Sequence, residues 1–527
     1  MSLNGTDEYR LDSFTGELLD ELFGAGTQPA SRTEPPPVNL TEEIDVLARQ
    51  ARENGLTTPI VDLFNRLKTL RRDGYVPGEF GLSRSDLVAL CEQHRIIDEH
   101  GVTLGGRVNR ALPIVEEAAS RVKEYLALKD TEAPSGIEMW GQIEENAARI
   151  KSTLDMSDEE WDSYPGQIKN CIDSVEKLSA IIDLPANVIR DIGQVTETYR
   201  MRMTPYYASL IQPDLVNDPI LLQAVPTGEM VDNVGIEIPP VASDHSPARL
   251  IDQFYPRVLT IKVTNMCAMY CTHCLRIAHI GKKDRIYTDQ AYEEALDYIR
   301  SNTTIRDILI TGGDTFVLPN EIIRNILESL DRIDHVRVKR IGTRIPVTAP
   351  MRVDRELLDI LAESNEKKPV RVVTQINTAR EITPVSREAF KKISSSVSAV
   401  LNQAVLLKGI NDTRVKMWKL CETIQDSYVR PYYLFNCSYR NPQFKHLRVP
   451  IARGRDIVES MYGNISGDAI PRYIAPMGGK IPLHKSNVQG WEDNCVVLTK
   501  PWNGETVHYP DAENYEEEQF AFKRYQE

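Results

Sequence analysis

Three cysteines stand close together, Cys267, Cys271 and Cys274, in a C-x3-C-x2-C arrangement within Cys267-Ala-Met-Tyr-Cys271-Thr-His-Cys274. Three thiolates on one short loop can hold three irons of a cubane iron–sulfur cluster and leave the fourth iron without a protein ligand. An open iron can chelate the amino and carboxylate groups of a small molecule and pass it an electron; a cluster held by four cysteines only relays electrons. Structural zinc is the competing use, but it needs a fourth ligand and is usually built from two separated pairs. His273 is the available fourth donor, and it lies between two of the cysteines. Two further segments carry chemical potential. Thr311-Gly312-Gly313-Asp314 follows a β-branched run, and paired glycines at a strand end let the backbone approach a ligand, although alone such a pair more often makes a tight turn. Gly478-Gly479-Lys480 sets a lysine after two glycines; it is not a phosphate-binding P-loop, because Ile481 takes the place of the required Ser or Thr.

The elements that must position these residues are readable from periodicity. After Tyr255, short β-branched runs at 258–263, 308–311, 336–341, 370–375, 399–406 and 429–435 alternate with helical patterns around 291–299, 321–330, 355–361, 387–393, 415–424 and 451–461. Six strands alternating with helices predict parallel βαβ units in an α/β barrel, complete or partial, with functional residues where strands end. The cysteine loop follows the first run directly, and Thr311 closes the second. Upstream, 41–135 reads as a helical domain of unassigned role: Ile44, Leu47, Ala48, Ile60, Leu63, Phe64 and Leu67 recur at helical spacing, and Ser83 with Asp86 forms a variant capping box. Residues 1–40, with Pro35, Pro36 and Pro37, read as a flexible arm or linker. Residues 136–250, with a capping box at Ser157 and Glu160, read as a helical lead-in, 251–440 as the barrel, and 441–527 as a C-terminal segment with the lysine and closing strands.

At 527 residues the chain exceeds what one hydrophobic core usually supports, so a catalytic domain and at least one further unit are expected. The net charge of −14 argues against a nucleic-acid or anionic-membrane partner, since phosphate-rich surfaces are captured by basic fields. No apolar run is long enough to cross a membrane, and the acidic start (Asp7, Glu8, Asp12, Glu17) is unlike a signal peptide, so a cytoplasmic location is expected. Eight cysteines in so long a chain are too few for a disulfide framework.

The cysteine spacing on a loop after the first strand of a βα array resembles the radical S-adenosylmethionine (SAM) superfamily, with His273 where that superfamily has an aromatic or similar residue. From about Trp140 to Tyr515 the chain resembles, more narrowly, the lysine 2,3-aminomutase family. The resemblance is carried in order by Met203-Thr-Pro-Tyr-Tyr-Ala-Ser-Leu-Ile, Asn217-Asp-Pro, the cysteine loop through Leu275-Arg276, and Thr311-Gly-Gly-Asp. Arg340-Ile-Gly-Thr-Arg-Ile-Pro, Asn402-Gln-Ala-Val-Leu-Leu-Lys-Gly-Ile-Asn-Asp, Arg430-Pro-Tyr-Tyr and Gly-Gly-Lys480 complete the series. It implies a partial (β/α)6 barrel with the N-terminal helical region added to it. It also implies a [4Fe–4S] cluster on Cys267, Cys271 and Cys274, SAM beside it, and pyridoxal 5′-phosphate (PLP) bonded to Lys480. The implied reaction moves the α-amino group of an amino acid to the β carbon by way of a 5′-deoxyadenosyl radical. Arg276 would pair with the substrate carboxylate, for which a planar guanidinium fork is suited. His273, Thr311, Gly312, Gly313, Asp314 and Gln403 would attend the cofactors. Arg257 is either a ligand of the PLP phosphate or a surface arginine. The implied partners are an amino acid, an external electron donor of flavodoxin or ferredoxin type, and other copies of the chain in a homo-oligomer.

The sequence departs from lysine-specific members where they use two aspartates on the substrate's distal ammonium. Ser438 and Ile474 stand at those positions, and Phe435 replaces a tyrosine. A buried ammonium without a counter-ion costs several kcal/mol, so a non-lysine substrate is expected. Arg440 and Arg472 suggest an acidic one, glutamate being the related case. Elimination, epimerisation or oxidation of an amino acid, a true lysine 2,3-aminomutase, and an interaction protein on a degenerate enzyme are the alternatives.

Overall fold

The computed structural model describes residues 22–23, 36–53, 57–93, 104–212, 218–233, 246–281, 283–285 and 287–512. Pro35, Asn217, Tyr515 and the acidic start fall outside them. The chain divides into two compact units, 1–123 and 124–527.

In the first unit the helices Val38–Glu53, Thr57–Arg72 and Arg84–Gln93 bury Ile44, Ala48, Ile60, Leu63, Phe64, Leu67, Leu87 and Cys91 in one apolar core. Ser83 caps the third reciprocally: its hydroxyl accepts from the Asp86 N–H at 3.2 Å, and its own N–H donates to the Asp86 carboxylate at 2.8 Å. The helix Leu104–Glu132 follows.

The second unit is built on a nine-stranded sheet in sequential order: β1 (Ile251–Tyr255), β2 (Val258–Thr264), β3 (Asp307–Gly312), β4 (Val338–Gly342), β5 (Val370–Thr374), β6 (Ala399–Leu406), β7 (Arg430–Asn436), β8 (Arg472–Pro476) and β9 (Lys480–Pro482). The six predicted strands are β2 to β7, all parallel. The structure adds a seventh parallel strand, β8, and antiparallel strands at both edges, β1 and β9. These are segments of three to five residues that include Asp, Gln, Arg, Lys and Pro, too short and polar to announce themselves by hydrophobic pattern. A separate antiparallel sheet, β10 (Val488–Glu492), β11 (Cys495–Thr499) and β12 (Thr506–Pro510), follows. No helix among the described residues is long and apolar enough to cross a membrane.

Helices lie between the parallel strands because the connecting sequences start them. Thr288, Asp354, Thr383 and Thr413 each accept a hydrogen bond from a first-turn N–H, and Pro319 and Pro450 occupy the same position before the remaining two. These helices cover one face of the sheet, where Leu259, Ile261, Ile308, Ile310, Ile341, Val370 and Val372 are buried. Each such side chain contributes about 1.5–3 kcal/mol. The register places Thr260, Lys262, Asp307, Leu309, Arg340, Arg371, Gln403, Tyr433, Arg472 and Lys480 on the other face. Most of these keep accessible surface. The sheet curls toward them, for the Lys480 amine on the last strand lies 5.5 Å from the Tyr255 ring on the first. The result is a partial α/β barrel with a polar hollow.

Lys339, on the helix-covered face, is fully buried and pairs with Asp331 and with the Ser364 carbonyl. Removing one partner strands the other charge, so Asp331→Ala should cost about 3–5 kcal/mol in urea unfolding. Lys339→Met with Asp331→Leu should recover most of that loss.

Candidate active site

The cysteine loop leaves the C-terminal end of β2 and is held from both sides. Asp314 N–H donates to the Met266 carbonyl at 2.8 Å. A Cβ on Gly313 would stand 2.2 Å from that same carbonyl oxygen, and one on Gly312, at φ +121°, 2.3 Å from the Thr264 carbonyl oxygen. The two glycines are therefore required by a close approach of chain to chain beneath the cluster loop. The Asp314 carboxylate is engaged inside the protein: it accepts from the Thr343 hydroxyl at 2.6 Å, the Arg344 N–H at 2.6 Å and the Phe316 N–H at 3.0 Å. Burial raises its pKa and those hydrogen bonds oppose the rise.

Arg344, just past β4, joins the loop to the rest of the barrel. Its guanidinium donates to the Cys271 sulfur at 2.9 Å, to Gln223 Oε1 at 2.6 Å and to Glu381 at 2.6 Å, while Tyr207 donates to the same carboxylate at 2.9 Å. Burial works against its charge, yet Glu381, Cys271 and Tyr207 outweigh burial and hold its pKa well above the usual arginine value. Asn377 donates to Gln223 Oε1 at 2.9 Å and faces His273 Nε2 at 3.3 Å. Burial, with the Arg344 cation beside it, pushes His273 down to about 3, so the ring is neutral.

All three cysteines retain accessible surface and none is disulfide-bonded. Burial pushes the Cys274 thiol up to about 12, with Cys271 adding to the shift. Cys267 goes well above its usual value through burial, then Asp314, Cys274 and Cys271. Cys267 and Cys274 thus sense the neighbouring thiols, and a metal cation that binds them displaces their protons to solvent. No three His, Cys, Asp or Glu side chains among the described residues are arranged around a single ion. A cubane does not require that, because each thiolate binds a different iron. Three thiols on one loop, with a neutral histidine and one fixed cation beside them, fit a cluster with an open iron.

Arg276 donates to the Thr311 hydroxyl at 3.3 Å, which puts both next to the cysteine loop. Lys480 lies farther along the hollow, its amine 5.1 Å from the Tyr433 ring and 5.5 Å from that of Tyr255. Burial, then the Arg340 cation, lowers its pKa to about 8, and Arg276 adds to the effect while Asp307 opposes it. Arg340 donates to Asp307 at 2.7 Å. The turn before Lys480 needs its glycines: Gly478 and Gly479 sit at φ +62° and +144°, and a Cβ on Gly479 would meet the Trp502 ring at 2.8 Å.

The remaining candidates are dispersed. Gln403 is half-buried on the hollow face, in register with Tyr433. Arg472 is also in register with Tyr433, exposed, with its guanidinium 5.9 Å from the Tyr432 ring. Ile474 is buried two residues on. Ser438 is buried and accepts from the Arg440 N–H at 3.3 Å, while the Arg440 side chain is exposed beyond β7. Arg257 is exposed in the turn between β1 and β2. Sequence reasoning missed the Arg344 network. Arg344 and Tyr207 lay inside quoted motifs without a visible partner, and Gln223, Asn377 and Glu381 lay in none.

Residues 261–417 match the model of the Radical SAM superfamily. With the curled sheet and the cysteine loop, this defines a radical SAM enzyme, and the superfamily's cofactors are a [4Fe–4S] cluster and SAM. The chain is 36% identical over 399 residues to glutamate 2,3-aminomutase of Clostridioides difficile (strain 630), covering 75% of this chain and 93% of that protein. It is 33% identical over 372 residues to L-lysine 2,3-aminomutase of Clostridium subterminale, covering 70% and 88%. To the L-lysine 2,3-aminomutase of Bacillus subtilis (strain 168) it is 33% identical over 381 residues, covering 71% and 80%. The protein belongs to the lysine 2,3-aminomutase family, whose members are isomerases.

Glu381→Gln removes the counter-charge of a buried guanidinium and should cost about 3–5 kcal/mol. It should also lower the iron and sulfide retained per chain after anaerobic reconstitution. Denaturant unfolding and iron analysis on the same preparation check both.

Proposed function

We propose that this chain is a radical SAM, PLP-dependent 2,3-aminomutase that moves the α-amino group of a non-lysine amino acid with an anionic side chain, glutamate being the leading case. The observation that carries the reading is the charge of the hollow face. Its register holds Lys262, Arg340, Arg371, Arg472 and Lys480, and the carboxylates Asp252 and Asp307 are already bonded to Lys262, at 2.8 Å, and Arg340. Such a wall favours anionic groups and disfavours a second ammonium. Ser438 and Ile474 offer no carboxylate to a lysine side chain. The name of the Clostridioides difficile relative agrees with an acidic substrate.

PLP, when bound, spreads an unpaired electron over its π system, and SAM supplies the group that removes hydrogen. The residues of this chain do the rest. Lys480 suits covalent attachment of an aldehyde, because only a neutral amine attacks a carbonyl. At pH 7 about a tenth of it is neutral, far more than for an ordinary lysine. The rings of Tyr255 and Tyr433 stand 5.5 and 5.1 Å from that amine and partly desolvate it. Arg340 and Arg276 present cations to a phosphate and a carboxylate, and the Thr311 hydroxyl orients the Arg276 fork.

Three outcomes test the reading. Lys480→Ala should abolish the visible absorbance that PLP gains on bonding to the protein. In the parent the rate of bonding should rise about tenfold per pH unit and level off near pH 8, not near the ordinary lysine value. In a panel of amino acids, the β-amino product should form from glutamate in preference to lysine; lysine as the best substrate would overturn the assignment of Ser438 and Ile474.

A further inference from the structure

We propose that the surface formed by Arg200, Arg202, Lys283 and Arg285 around Tyr270 is the docking site for an acidic one-electron carrier protein. The proposal rests on the radical SAM reading above, since the cluster must take up one electron before it can cleave a sulfonium to a carbon radical, and no residue of this chain supplies that electron. The carrier loses that electron and is oxidised, the cluster gains it and is reduced by one charge, and no proton moves.

Tyr270 belongs to the cysteine loop itself, between Cys267 and Cys271. The Arg200 guanidinium lies 4.3 Å from its ring centroid and that of Arg202 5.5 Å away. Asp284 accepts from Arg200 at 2.6 Å and from the Tyr270 hydroxyl at 3.3 Å, with Arg202 3.9 Å off, so one carboxylate is shared by two guanidiniums and a positive excess remains. Exposed Lys283 and Arg285 flank Asp284 and extend that excess. The nearby carboxylate of Asp173 is paired with Lys177 at 2.8 Å.

The segment is tied to the cluster loop. Buried Asn265, two residues before Cys267, donates to the Ile280 and Lys283 carbonyls, both at 2.9 Å, and accepts from the Arg285 N–H at 2.8 Å. One hydrogen bond and the two-residue step from Asn265 to Cys267 therefore link the surface to the first thiol. A local positive field on a chain of net charge −14 steers an acidic protein to this spot in preference to the rest of the surface.

The test uses the full-length, reconstituted protein, the variant Lys283→Glu/Arg285→Glu, and reduced flavodoxin as the probe carrier. Anaerobic stopped-flow absorbance follows cluster reduction, and titration with oxidised flavodoxin gives the Kd. Expected are a roughly tenfold slower reduction by flavodoxin and a comparably weaker Kd in the variant, with the parent at high salt behaving alike. Reduction by dithionite, which needs no docking, should be unchanged. Equal flavodoxin rates in variant and parent overturn the proposal, as does a parallel fall with both reductants, which would mean that the segment only braces the loop. A parent protein that takes up iron but whose cluster resists dithionite overturns the radical SAM reading, and the proposal with it.

Discussion

A loop that gathers three thiols inside a protein gathers negative charge once a metal replaces their protons, and Arg344 is the fixed cation beside it. Its guanidinium bonds to Cys271, and its own desolvation is offset by Glu381 and by the Gln223 amide oxygen. Its backbone N–H holds Asp314, whose own N–H holds the carbonyl of Met266. The ends of β2, β3 and β4 and the segment after β5 thus meet through one side chain and its peptide. In a low dielectric such a network is stable only when every member is paired, so the loop geometry and the barrel geometry are coupled.

The barrel keeps its hollow for a related reason. On the helix-covered face the strands carry Ile, Val and Leu, and burial of that face drives folding. The opposite face carries Lys262, Asp307, Arg340, Arg371, Gln403, Arg472 and Lys480, and a sheet so lined cannot close into a dry core without leaving charges unpaired. Two of the cations are matched by Asp252 and Asp307, and Arg371, Arg472 and Lys480 form no ion pair among the described residues. The same desolvation that would penalise a misplaced charge lowers the Lys480 pKa and makes its amine a nucleophile near neutral pH. Stability and reactivity here draw on one cause acting on opposite faces of one sheet.

Much of this was legible in the chain itself. The cysteine spacing, the Gly-Gly pairs and the six β-branched runs are local features: a loop three or four residues long fixes what its side chains can share, and strand or helix periodicity follows from backbone geometry. Those features determined the cluster ligands as candidates, the parallel βαβ order and the family motifs. What only the tertiary structure decided depends on register and curl. It joined Tyr207, Gln223, Cys271, Arg344 and Glu381, which lie up to 174 positions apart, into one network. It brought Tyr255 of the first strand against Lys480 of the last, and it put Arg472 on the hollow face while Arg257 and Arg440 lie in turns outside the strands. Residue types say which charges must find partners. Which partners they find is set by the accumulated twist and stagger of nine strands, a quantity no short stretch of sequence contains.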